Sequence, residues 1–304
     1  MQRPRDRVGN GARVRCRRLV AMQTLSEIRS ILAERGLRPK RRLGQHFLHD
    51  KNILAKIVDA AKLQNGELVL EIGPGTGTLT EALIEAGAEV VTCEIDADLA
   101  SITEDRFTQR VRLIRSDCLD AHRRLNPQIV AALGDQPFKL VANLPYQIAS
   151  PLLCTILIHH PKCMGQYVTI QKEVADRLLA EPGTKEYGPL SIIVGALADV
   201  KRICTVKPSC FWPQPKVESA MVSIRPAPPG RGVRDEGSSA LNTPQQRRDF
   251  SRFVTQLFTK RRKQLGTILG RDCDWPTGVT ADLRPEALAV ERIVTLWQRF
   301  GTMR

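Results

Sequence analysis

The stretch Asn143-Leu144-Pro145-Tyr146 sets an amide, a proline kink and an aromatic ring directly after an apolar run. That run, Phe138 to Ala142, reads as a buried strand. Pro145 fixes its own φ and lacks an N–H, and its ring pushes Leu144 into an extended conformation, so the backbone turns sharply. Asn143 offers a side-chain acceptor, the Leu144 carbonyl a second, and Tyr146 a flat apolar face. Two acceptors beside a stacking ring suit a planar base with an exocyclic NH2. The same four residues also suit a plain loop with a capping Asn and a core Tyr. The rest of the chain decides between these.

A second group of residues lies upstream. The apolar stretch Glu67 to Ile72 runs into "EIGPGTGTLTEAL", with glycines at 73, 75 and 77. This G-x-G-x-G spacing differs from the G-x-G-x-x-G fingerprint that lays backbone N–H groups on a pyrophosphate at a helix N-terminus. It suits a cofactor without a phosphate, approached closely by backbone. Glu94 ends the next strand about twenty residues after the glycines, where a carboxylate grips both ribose hydroxyls. Asp117 ends the third, positioned to accept from an adenine amino group. Ribose, adenine and no phosphate predict S-adenosylmethionine, with NAD as the minor alternative. One strand-end carboxylate is usually a helix cap. Three groups in register at the carboxyl edge of one open α/β sheet make a ligand site. Asn143, on the fourth strand, then brings its acceptors beside the methyl donor.

The elements that must position these residues alternate. The apolar patterning predicts a helix over 52–63, strands over 67–72, 89–95, 111–117 and 166–171 and at Asn143, and helices over 79–86, 97–107 and 151–159. This alternation predicts an α/β fold, a mostly parallel Rossmann-like sheet with helices on both faces. Strands over 200–206 and 220–225, with no helix between them, predict an antiparallel edge. Residues 226–244 are Pro/Gly/Ser-rich and aperiodic, a linker, and 245–304 form a small all-helical C-terminal domain. The methyltransferase domain occupies 22–225 with its N-terminal helices, the first of which has Thr24 as N-cap and Gly36 as stop. Residues 1–21 hold seven arginines and one acid. They lack the serines of a transit peptide and the apolar block of a secretory signal, and are expected to be a basic disordered leader or an over-extended start.

Across 304 residues, 46 Lys and Arg face 32 acids, a net charge of +14 that favours a polyanionic partner. No apolar run is long enough to span a membrane. Eight cysteines form no Cys-x-x-Cys pair, and five histidines complete no ligand cluster. These features predict reduced thiols in a cytoplasmic compartment and no metal.

With these residues in hand, the chain closely resembles the KsgA-type ribosomal RNA small-subunit adenine dimethyltransferases from about Arg41 to the C-terminus, apart from the linker. Matching blocks include "RRLGQHFLHD" (41–50), "EIGPGTGTLT" (71–80), "VTCEIDADLA" (91–100), "SDCLD" (116–120), "NLPYQIASPLL" (143–153), "PSCFWPQPKVESAMV" (208–222) and "FTKRRKQL" (258–265). The resemblance implies a class I S-adenosylmethionine-dependent methyltransferase with a helical C-terminal domain. It implies N6,N6-dimethylation of two adjacent adenosines in a hairpin loop near the 3′ end of small-subunit (16S-type) rRNA. The substrate would be rRNA in a pre-ribosomal particle, and the enzyme a monomer. By the matching motifs, His46, Leu48, Gly73, Glu94, Asp117 and Asn143 would contact S-adenosylmethionine. Asn143, Leu144, Pro145 and Tyr146 would hold the target amino group, and Phe211 would stack on the flipped adenine opposite Tyr146. The basic runs at 40–42 and 260–263 are candidate phosphate contacts, with a solvated helix face the equal alternative for each. The family usually has Asn where this chain has His46. Two other readings stay open: an erythromycin-resistance-type large-subunit rRNA methyltransferase, and a non-catalytic ribosome-assembly or transcription factor on the same fold.

Overall fold

A computed structural model describes residues 22–227 and 241–301. The expected leader, 1–21, and residues 228–240 of the expected linker lie outside the described residues. Helix α1 (Leu25–Glu34) begins at Thr24, whose hydroxyl accepts the Glu27 amide while the Glu27 carboxylate accepts the Thr24 amide. Strand β1 (Phe47–Leu48) precedes α2 (Lys51–Ala61), which Asp50 caps through the Asn52 and Ile53 amides. Then follow β2 (Leu68–Ile72), α3 (Thr78–Glu85), β3 (Glu89–Glu94), α4 (Ala97–Phe107), β4 (Val111–Arg115) and α5 (Pro127–Leu133). The second half holds β5 (Phe138–Asn143), α6 (Ala149–His159), β6 (Cys163–Gln171), α7 (Lys172–Leu178) and α8 (Pro189–Leu197). Strands β7 (Ala198–Val206), β8 (Phe211–Trp212) and β9 (Ser219–Pro226) lead to the helices α9 (Pro244–Thr259), α10 (Leu265–Leu269) and α11 (Val290–Phe300).

The main sheet has the order β4-β3-β2-β5-β6-β9-β7. Strands β4 to β6 in that order are parallel, and β9 runs antiparallel between β6 and β7 as the expected edge. From β2 the chain moves outward through β3 and β4, then returns to add β5 and β6 on the other side. The carboxyl ends of β2 and β5 therefore flank a topological switch point, where open α/β sheets leave a crevice. A separate antiparallel ribbon pairs β1 with β8, Phe47 opposite Trp212 and Leu48 opposite Phe211. It joins two blocks some 160 residues apart in sequence. Two-residue strands carry no period, so nothing in the sequence pattern announced it.

Alternation along the strands divides the core. Leu68, Leu70 and Ile72 face the side covered by α5, α6 and α8, whereas Val69 joins α2 and α3 on the other. A smaller cluster packs Ile28 and Leu32 of α1 against Phe47, Leu99 and Ile102. The C-terminal helices share the first core: Phe250 and Val254 of α9 and Ile293 and Val294 of α11 pack with α6 and α8.

Phe250 is fully buried and meets Trp297 edge-on, ring centroids 5.6 Å apart. Phe250→Ala is expected to cost about 3–5 kcal/mol in urea denaturation, through lost burial and the cavity left behind. Because the core is continuous, the loss should shift one cooperative transition. Two separated transitions would show that the C-terminal helices fold independently.

Candidate active site

The turn between β2 and α3 takes positive φ at Gly73, Gly75 and Gly77, +71°, +63° and +87°. At two of these positions a side chain would also be crowded, tightly at Gly75 and closer than contact distance at Gly77. A Cβ on Gly75 would lie 3.0 Å from the Phe47 ring, and one on Gly77 would lie 2.3 Å from Phe107. The turn borders a cleft of about 800 Å³, open to solvent, at the switch point. Nine of the ten residues singled out in the sequence line it: His46, Leu48, Gly73, Glu94, Asn143, Leu144, Pro145, Tyr146 and Phe211. Asp117 does not. It stands two residues past β4, exposed, with Oδ1 accepting the Leu119 amide at 3.0 Å.

At the end of β5 the polar groups divide cleanly. Asn143 Nδ2 donates to the His46 carbonyl at 3.0 Å, and the Leu144 amide donates to the Thr169 carbonyl at 3.1 Å. Asn143 Oδ1 and the Leu144 carbonyl are left without a hydrogen-bond donor among the described residues. Tyr146, partly buried, shares a 2.7 Å hydrogen bond with Ser219 Oγ and stacks on the His46 ring at 5.6 Å. His46 Nδ1 lies 2.6 Å from the Pro213 carbonyl. Since a carbonyl only accepts, the ring must carry a hydrogen on Nδ1. His46 thus ties the Asn143 strand end to the loop that follows Phe211. Phe211 is buried at the back of the same cleft.

Carboxylates form the opposite wall. Glu94, 6% exposed, accepts the Asp96 amide at 2.9 Å on one oxygen and the Gly75 amide at 3.4 Å on the other. Burial raises its pKa, and those amides offset only part of the rise. Asp96 caps α4 and takes Lys40 Nζ at 2.6 Å and Gln45 Nε2 at 2.7 Å. The segment carrying His46 and Leu48 is thereby fastened to the turn after β3. Lys40 also pairs with Asp98, which commits it to this wall rather than to a phosphate. Arg261 likewise pairs with Glu286. Arg41, Arg42, Lys260, Arg262 and Lys263 carry no ion pair among the described residues. No Lys or Arg lines the cleft itself. Glu71, Gln45, Asp96 and the half-exposed Ile95 beside Glu94 escaped sequence reading. Only Glu71, an acid inside an apolar strand run, carried a signal.

These features fit S-adenosylmethionine and not a phosphate cofactor. The turn is close-approach glycine with no Lys or Arg lining the cleft beside it, and the wall is made of acceptors that suit hydroxyls and a cationic sulfonium. Among the described residues no cluster of His, Cys, Asp and Glu could hold a metal, and seven cysteines are unpaired.

A family model described as ribosomal RNA adenine dimethylase matches residues 36–276. The chain belongs to that family. It is an enzyme that dimethylates rRNA adenine with S-adenosylmethionine as methyl donor. It is 40% identical over 273 residues to the ribosomal RNA small subunit methyltransferase A of Synechococcus sp. (strain JA-3-3Ab), covering 85% of this chain and 90% of that one. A dimethyladenosine transferase from Plasmodium falciparum superposes with a TM-score of 0.65 at 26% identity, covering 84% of this chain and 97% of that one. The 23S rRNA methyltransferase ErmE shares the fold, with a TM-score of 0.56 at 24% identity over 83% of this chain and 98% of its own. No helix among the described residues of the enzyme is long and apolar enough to cross a membrane.

Glu71 gives a pH test. Fully buried beneath the cleft, it accepts the Thr80 hydroxyl at 2.7 Å, and burial, with the Glu94 charge adding, raises its pKa from 4.5 to about 8. The folded chain therefore holds a proton that the unfolded chain has lost. That stabilisation is complete below about pH 4.5 and disappears as pH rises through about 8. Glu71→Gln should flatten the fall in urea midpoint across that window. An unchanged slope would show that Glu71 is ionised in the fold.

Proposed function

We propose that the enzyme dimethylates two adjacent adenosines in a hairpin loop near the 3′ end of small-subunit rRNA, within a pre-ribosomal particle and as a monomer. The choice of subunit is supported by the identity to a protein named as a small-subunit methyltransferase along most of both chains. The chemistry is carried by one observation: two unspent acceptors, Asn143 Oδ1 and the Leu144 carbonyl, stand beside the Tyr146 ring at the switch point.

Adenine N6 is a poor nucleophile because its lone pair is delocalised into the ring. Asn143 Oδ1 and the Leu144 carbonyl would each accept one N6 hydrogen, localising the lone pair and aiming it. Tyr146 and Phe211 would flank the flipped base. S-adenosylmethionine, when bound, supplies an electrophilic methyl group. His46, Leu48, Gly73 and Glu94 would hold it from the cleft walls, and Asp117, now bonded to the Leu119 amide outside them, would have to turn its carboxylate toward the adenine. The acceleration comes from proximity and orientation. The alkylated nitrogen is acidic enough to lose its proton to solvent, so no general base is required.

Single-turnover methylation at saturating cofactor tests the roles. Asn143→Ala should slow transfer by tenfold to a hundredfold, about 1–3 kcal/mol. Tyr146→Ala should weaken capture of the base by about 1–3 kcal/mol, the worth of base–aromatic stacking. Tyr146→Phe loses only its bond to Ser219 and should stay largely active. If it were as inactive as Tyr146→Ala, the stacking role would be wrong. Radiolabelled methyl groups should enter unmodified small-subunit particles and not large subunits; labelling of large subunits would reassign the substrate.

A further inference from the structure

The glycine turn has no side chains of its own at residues 73, 75 and 77 to fix it, and glycine is the most conformationally free residue. It is fixed from outside the sheet. Gln23, just before α1, is 5% exposed. Its Nε2 donates to the Thr76 carbonyl at 3.0 Å, and its Oε1 accepts the hydroxyls of Thr76 and Thr78, each at 2.8 Å. Thr76 and Thr78 both line the cleft. Arg106 of α4 also donates to the Thr76 carbonyl and pairs with Glu81 at 3.0 Å.

Gln23 is itself held on both sides. Met22 is buried in the cluster of α2 and α3, and Thr24 caps α1. The family match begins at residue 36, so this contact comes from a segment outside the matched region. Removing the amide would strand the buried Thr76 and Thr78 hydroxyls and leave the Thr76 carbonyl to Arg106 alone, and buried groups are costly to leave unpaired. The turn would relax to recover partners, and the cleft wall would move with it.

We propose that Gln23 is a positioning residue for S-adenosylmethionine. It sets the Thr76–Thr78 turn against the cofactor and leaves the Asn143 end of the cleft untouched. The entry to α1 is thereby part of the cofactor site. This rests on the reading of the cleft as that site.

Gln23→Met keeps the length and burial of the side chain and removes all three bonds. Calorimetry with S-adenosylhomocysteine should show binding weakened about tenfold, as for losing one to two net hydrogen bonds, and KM for S-adenosylmethionine should rise in step. The value of kcat at saturating cofactor and KM for small-subunit particles should stay within about twofold, because only cofactor binding is altered. Adding Thr78→Val to Gln23→Met should cost less than Thr78→Val costs in the wild-type chain, because the two groups share a bond. If Gln23→Met does not fold, Gln23→Asn carries the same test, one methylene short of both threonines. Unchanged cofactor affinity in a folded variant, or equal losses in kcat and both KM values, overturns the proposal. A wild-type chain that fails to bind S-adenosylhomocysteine would instead remove the reading of the cleft on which it rests.

Discussion

The Glu94 carboxylate, buried at the end of β3 and held by two backbone amides, is the constraint around which the cleft is arranged. A buried charge is tolerated only where it is paired or hydrogen-bonded. Here it has neighbours of its own sign. Glu71 lies one strand away on β2, and Asp96 two residues on. The fold resolves the conflict by treating each acid differently. Glu71 is surrounded by apolar packing and keeps its proton near neutral pH. Asp96 keeps its charge, because Lys40 and Gln45 bring donors to it and hold its pKa below the usual carboxylate range against its burial. Glu94 is left facing the cleft, its pKa raised by burial against the pull of the Asp96 and Gly75 amides.

The same arrangement separates two kinds of electrostatics within one chain. The net charge is +14, yet the cleft is lined by carboxylates and carbonyls and by no Lys or Arg. A polyanion is attracted to the surface, where Arg41, Arg42, Lys260, Arg262 and Lys263 are unpaired among the described residues. A ligand with hydroxyls and a positive sulfur is favoured inside. Lys40 shows the two demands meeting in one basic run. Its neighbours Arg41 and Arg42 stay exposed at the cleft rim, while its own ammonium is spent on Asp96 and Asp98.

Much of this was legible in the sequence because it follows from strand ends. An apolar run that stops at an acid, an amide or a glycine turn fixes both an element and the edge where its last side chain emerges. Glu94, Asn143 and the turn at Gly73 could therefore be placed together before any coordinates. Asp117 was placed by the same rule, but its strand ends at Arg115. The two extra residues form a turn that points its carboxylate at its own backbone. The ribbon of β1 and β8 was invisible because two residues carry no period, though it delivers Leu48 and Phe211 to the cleft. Helix α8, "PLSIIVGAL", is apolar nearly all round, so no polar face marked it as a helix that both layers bury. Gln23 lay beyond reach for another reason. Its role depends on a contact across 53 and 55 residues, and a glutamine before an amphipathic helix reads as solvent-facing.

His46 shows how a local departure from a family pattern can be absorbed. An asparagine at that position presents one acceptor and one donor on a short arm. The imidazole donates through Nδ1 to the Pro213 carbonyl, and its face lies on Tyr146. Its own backbone carbonyl takes the Asn143 amide. One residue therefore joins the cleft wall, the strand end that would hold the amino group, and the loop behind Phe211. The bond to Pro213 places a hydrogen on Nδ1 and fixes the plane of the ring, as a side-chain amide donating to the same carbonyl would fix its own. What changes is stiffness. An asparagine Nδ2, as many bonds from the backbone as Nδ1, could reach the same carbonyl, but only the ring adds stacking on Tyr146, which Ser219 holds at its hydroxyl.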